Sequence, residues 1–151
     1  MARKIIGVIV GYVVMALFVF LTFTAAYLAL GTEQAFKPGN YNVSLRWIAI
    51  STVLGLIAAI IGGFVCGLIS KSSRACQVLA GLVLVLGLLV AIPALTMNDV
   101  RPNVRAKEVP NLQAMQNART PKWVALVNPI IGAVGVLIGA GIRQQTSKSA
   151  D

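Results

Sequence analysis

Enzymatic chemistry near neutral pH draws on groups that exchange protons, bind metals or attack electrophiles, and this sequence is poor in all three. It contains no histidine, and its acidic side chains, Glu33, Asp99, Glu108 and Asp151, are dispersed along 151 residues. Zinc sites of the His and Cys kind, His-ligated haem and Ser-His-Asp acyl transfer therefore lose their ligands or their base together. The two cysteines lack a CxxC spacing; Cys66 lies deep in an apolar run and Cys76 in the polar link after it. That places them at different depths, so packing is expected of them rather than a disulfide or a thiol redox pair. We expect no catalytic residue, no cofactor and no metal.

The polar groups that do interrupt apolar sequence are of another kind. Asn128-Pro129 falls in the last apolar run and Pro93 in the third. Proline removes an amide donor and frees a carbonyl one turn earlier, so kinks are expected at both prolines. Two readings of Asn128, Pro129 and Pro93 stand side by side. In one, freed carbonyls and the Asn128 amide line a polar site, as unwound segments do in transporters; in the other, Asn128 bonds to a neighbouring helix and the kink only shapes the bundle. No Asp, Glu, Lys, Arg or His lies inside any apolar run, where proton relays, ion paths and voltage sensors carry them. The first run offers only Tyr12, Thr22, Thr24 and Tyr27 as polar groups. It has neither the embedded Glu that a relative of the small multidrug resistance exporters would need nor the Arg and Glu set of membrane-bound glutathione transferases.

The elements that must carry these residues follow from hydropathy. Hydrophobic residues make up 58% of the chain and charged ones 11%, against roughly a quarter charged in a soluble domain, and mean hydropathy is +0.85. Apolar runs at 5–30, 47–69, 78–97 and 123–142 each approach or exceed the roughly twenty residues that cross a hydrocarbon layer. The expected fold is an all-α integral membrane protein, a four-transmembrane-helix bundle forming a single membrane domain over 1–151. The basic start Arg3-Lys4 before the first run resembles a secretory signal, but a signal core holds only about 7 to 15 apolar residues, so a retained helix is expected. The 31–46 loop, with Lys37-Pro38-Gly39-Asn40, reads as an exposed irregular connection. The longer non-membrane loop, 98–122, offers a short helix over 110–118 with Leu112, Met115 and Ala118 on one face. Such a helix would lie on the membrane surface or dock on a partner, the alternative being a solvated loop.

Thirteen Lys and Arg against four Asp and Glu give a net charge of +9. In a soluble protein this would suggest nucleic acid, but here the cations stand between apolar runs, where they meet anionic lipid headgroups; no nucleic-acid role is expected. Cations packed beside helix ends at the termini and at the 70–77 link favour both termini in the cytoplasm. Arg46-Trp47 and Lys122-Trp123 open the second and fourth runs alike. They read as interface anchors, with an aromatic-cationic ligand site as the alternative. The repeated pattern, with glycines towards the far end of both runs, hints at two related helical hairpins in parallel orientation.

The sharpest spacing is in the second run, where Ser51, Gly55, Ala59, Gly63 and Gly67 recur every fourth residue and Ala58, Gly62, Cys66 and Ser70 form a strip beside them. Small residues let helix backbones approach closely in lipid, so a central helix with two neighbours is expected. Gly7 and Gly11 in the first run, and Gly132, Gly135 and Gly139 in the fourth, offer matching surfaces. Spacing leaves open whether these strips pack within one chain or between chains. Gly62-Gly63-Phe64, the short basic link, the Leu/Val-rich third run and the Pro121-Lys122-Trp123 approach to a glycine-rich fourth run together resemble small four-span proteins of bacterial inner membranes. That resemblance implies a bacterial inner-membrane location and brings no assigned activity. The expected function is a non-catalytic interaction or accessory subunit packing against a larger membrane complex. The alternative is an oligomeric channel or carrier for a neutral or anionic small solute.

Overall fold

A computed structural model describes residues 2–96 and 117–148. The short helix expected over 110–118 falls almost wholly outside them. Among the described residues there are four helices, α1 (Ala2–Ala35), α2 (Leu45–Ser70), α3 (Ser73–Thr96) and α4 (Lys122–Lys148), and no strand. Each is long and apolar enough to cross a membrane, and they form a helical bundle. At 1.5 Å per residue, the stretch of α1 before Gly31 measures about 44 Å, beyond the hydrocarbon core. Its backbone leaves helical geometry at Gly31, where φ is 69°, a conformation that a glycine adopts without penalty.

Helix ends are set by local chemistry. Ser44 caps α2 by accepting from the Trp47 amide at 3.1 Å and donates its own hydroxyl proton to the Gln34 carbonyl at 2.5 Å, tying the start of α2 to the end of α1. At the other end Lys71 adopts the left-handed conformation and its amide reaches the Gly67 carbonyl at 3.0 Å. The chain then reverses within two residues into α3. Pro93 and Pro129 lie inside helices that continue past them.

The order of packing is α1, α2, α4, α3. The hairpins α1/α2 and α3/α4 join through α2 and α4, which run parallel; α1 touches α3 only towards the link, and α1 does not approach α4. Two buried clusters close the ends of the bundle. Near the link, Ala59, Cys66, Ala75, Cys76, Leu79, Val136 and Ala140 pack together. Cys66 and Cys76 are free thiols and near neighbours in this cluster, so the expectation of different depths fails. The link reverses so tightly that the start of α3 lies beside the end of α2.

The other end departs from expectation more strongly. The 31–46 connection is anchored and not simply exposed: its turn residues Lys37, Pro38 and Gly39 are exposed, but Phe36, Tyr41 and Val43 join Tyr27, Ile48 and Val124 in the second cluster. Lys37-Pro38-Gly39-Asn40 makes a tight turn, with Gly39 at φ 70° and the Asn40 amide donating to the Lys37 carbonyl at 3.3 Å. Beyond the turn Phe36 bridges to Val43, and Asn42 to Arg119. The Val43 amide donates to the Arg119 carbonyl at 3.1 Å and the Arg119 amide to the Tyr41 carbonyl at 2.8 Å. The backbone needs of a non-helical segment are thus met inside the protein.

Candidate functional site

The glycines expected to pack divide into those consumed within the chain and one left open. A Cβ added at Gly7 would stand 2.8 Å from Ser70 Cβ, and one at Gly11 2.8 Å from the Gly62 carbonyl oxygen, so α1 lies on the strip of Gly62, Cys66 and Ser70. The neighbouring strip meets α4: Gly63 abuts the Val136 backbone, Gly139 abuts Ile60, Gly135 abuts Ala59, and Gly67 abuts the stem of Arg143. Gly132 faces Val83 across the α3/α4 contact. Gly55 differs, because a Cβ there would meet nothing within 4 Å. One packing glycine was missed in the sequence: Gly87 receives the ring of Pro129, whose Cβ and Cγ would lie 2.7 Å from an added Cβ. A glycine in one helix of a hairpin, at the level of a proline in the other, was the available signal.

The two cation-tryptophan pairs are not equivalent. Trp47 is half-buried, with its ring edge-on to Tyr27 at 5.8 Å and to Phe23 at 6.0 Å, which makes it part of the aromatic cluster. Trp123 is 56% exposed, while Lys122 donates to the Leu95 carbonyl at 3.3 Å. Arg46 is exposed. Pro93 is exposed on α3, away from Pro129, so the two prolines do not build one site.

Where α1 parts from α4 a cavity of about 310 Å³ opens, at the lower end of the range that small-ligand pockets occupy. Tyr12, Met15, Ala16, Val19 and Phe23 of α1 form one wall, and Asn128, Ile131 and Gly132 of α4 the other. The floor is α2, through Ser51, Thr52, Gly55, Leu56 and Ala59, with Val83 of α3 completing the lining. Most of this surface is apolar. Ser51 donates to its own helix at the Ile48 carbonyl, 3.1 Å away. The side chains of Tyr12, Thr52 and Asn128 have no hydrogen-bond partner among the described residues. In hydrocarbon an amide without a partner is costly, and any group that satisfies it is held there. These groups offer hydrogen bonds in an otherwise apolar setting, which suits the cavity to holding a polar group. Thr22 and Thr24 lie outside it and donate to the Phe18 and Phe20 carbonyls, each at 2.7 Å. Among the described residues no three His, Cys, Asp or Glu side chains gather to hold a metal.

No family model matches the chain, and neither a curated protein nor a solved structure matches it significantly.

Proposed function

We propose that this chain is a non-catalytic membrane subunit that holds a transmembrane helix of a larger membrane complex in the cleft between α1 and α4. The observation that carries the reading is the pairing of Gly55, where an added Cβ would meet nothing within 4 Å, with the exposed Asn128 amide, unpartnered among the described residues, in the same cavity. Helices associate in lipid through close approach at small residues and through interhelical hydrogen bonds, and this cleft offers both. The other strip glycines are already spent inside the chain, so Gly63 and Gly67 are part of its own core and not a free surface. The membrane is a bacterial inner membrane, with both termini and the 71–72 link in the cytoplasm and the basic residues at each face against anionic headgroups; cations clustered at helix ends support this orientation.

The test is gentle extraction of a tagged copy followed by native mass analysis of what leaves with it. A different membrane protein in stoichiometric amount is expected, and Gly55→Leu or Asn128→Leu should lower its recovery about tenfold, the scale of one buried polar contact plus local packing. Unchanged recovery from well-folded variants overturns the reading. The same cavity supports a second reading, a binding site for a neutral solute in an oligomeric carrier. A homo-oligomer alone, with liposome flux lost in Asn128→Leu, would favour it.

A further inference from the structure

At the link end of the bundle Arg3, Lys4, Lys71 and Arg74 stand at or just beyond helix ends, and Arg143 lies within the last two turns of α4. The sole carboxylate among the described residues, Glu33, is near the opposite end of α1. Between the link and the last turns of α4 lies a second pocket, of about 390 Å³, walled by Lys71, Ser72, Ser73, Arg143 and Gln144. Its walls are braced. Gln144 Nε2 donates to Ser73 Oγ at 2.9 Å, joining α4 to the first turn of α3, and the Ser72 amide donates to Ser70 Oγ at 3.3 Å. The Arg143 stem lies on Gly67, where an added Cβ would come within 3.2 Å of its Cγ. Its Nε is buried and has no hydrogen-bond partner among the described residues. A buried cationic donor left unsatisfied is costly, so an acceptor belongs beside it. Ser73 opens α3, whose first turn carries no acidic residue; its leading amides have no intrahelical acceptor and the positive end of the helix is uncompensated.

We propose that this pocket binds a phosphate-bearing anion. A tetrahedral oxyanion accepts from the Arg143 fork, the serine hydroxyls and the first-turn amides together, with the Lys71 ammonium supplying a second positive charge. At this end of membrane-crossing helices a phospholipid headgroup and a soluble phosphate offer the same chemistry. The site lies at the opposite end of the bundle from the aromatic cluster, and its test needs no protein partner.

In the experiment, delipidated protein is reconstituted in phosphatidylcholine nanodiscs with and without phosphatidylglycerol, and native mass spectrometry counts the phosphatidylglycerol that remains after stripping. In parallel, the phosphorus line width of inorganic phosphate is followed with the detergent-solubilised protein. The site variants are Arg143→Gln with Lys71→Gln, and separately Ser73→Asp, which places a carboxylate at the helix start where it favours the helix while filling the anion's place. The control, Arg46→Gln with Lys122→Gln, removes the same charge at the far end, and elution profile and melting temperature verify folding of each. One retained phosphatidylglycerol in wild type and control, reduced about tenfold in both site variants, supports the site with lipid as its source. Phosphate broadening in wild type and control alone, without lipid retention, supports it with a soluble anion as the source. Neither signal, or equal signals in control and site variants, overturns it.

Discussion

At Gly63 the α2 backbone lies directly against the backbone of Val136, and no side chain fits between them. Close approach of this kind is available only to glycine, and it sets the α2/α4 distance on which both hairpins depend. Gly63→Ala should therefore force the helices apart and lower stability by about 1–3 kcal/mol, the usual scale of overpacking. Gly81 sits in α3 with nothing within 4 Å of an added Cβ. Gly81→Ala should leave stability unchanged or raise it by up to about 1 kcal/mol, because alanine is the better helix former. Thermal unfolding in one detergent compares the pair, and equal effects of the two would remove the argument. The four-residue spacing of Ser51, Gly55, Ala59, Gly63 and Gly67 made a packing strip legible in the sequence. It did not separate the packed members from Gly55, because a strip is defined by its own helix and a vacancy by the neighbour's position.

The connection between α1 and α2 shows the same division at the level of elements. Its turn was readable, since proline and then glycine at the two central positions specify it. The burial of its flanks was not. Phe36, Tyr41 and Val43 are aromatic or β-branched residues on either side of a tight turn, which is a hairpin signature, yet polar neighbours masked it. In the structure Phe36 meets Tyr27 at 6.3 Å and Tyr41 at 6.5 Å, both edge-on, and the segment pairs with the backbone at Arg119 just before α4. This cluster fixes the loop end of α1 to α2 and to the start of α4, at the end where α1 and α4 helices do not touch. Phe36→Ala should cost about 3 kcal/mol, the scale of a buried aromatic truncation. It should also raise proteolysis within 36–43 while α2/α4 packing persists. A melting temperature equal to wild type would show that the cluster does not brace the bundle.

For the molecule as a whole, the number of helices was legible because about twenty apolar residues leave little choice of structure in lipid. Their lateral order was not, since Gly7-x-x-x-Gly11, the strips of α2 and the glycines of α4 are chemically alike and any could have paired with any. What the order α1, α2, α4, α3 creates is an asymmetric bundle. Its link end is closed by the cluster around Leu79 and Val136 and ringed by cations, while its middle is open between α1 and α4. Charge and shape together make orientation a testable property of the fold. Of the described cations at the loop end, Lys37, Arg46, Arg119 and Lys122, two stand in the first turns of α2 and α4, whereas Arg3, Lys4, Lys71 and Arg74 all stand in a first turn or directly after a last one. Positive charge immediately beside a membrane helix is retained on the cytoplasmic side. Single replacements that change no charge, Gln34→Cys at the loop end and Ser73→Cys at the link end, both at exposed positions, report the two faces. Cys66 and Cys76 are buried and should stay silent to a membrane-impermeant maleimide. With the proposed inner-membrane location and orientation, intact cells with a permeable outer envelope should label Gln34→Cys, and Ser73→Cys should react only once the inner membrane is opened. The opposite pattern would invert the protein, place the anion pocket outside the cell, and leave the cluster of cations at the link without its topological explanation.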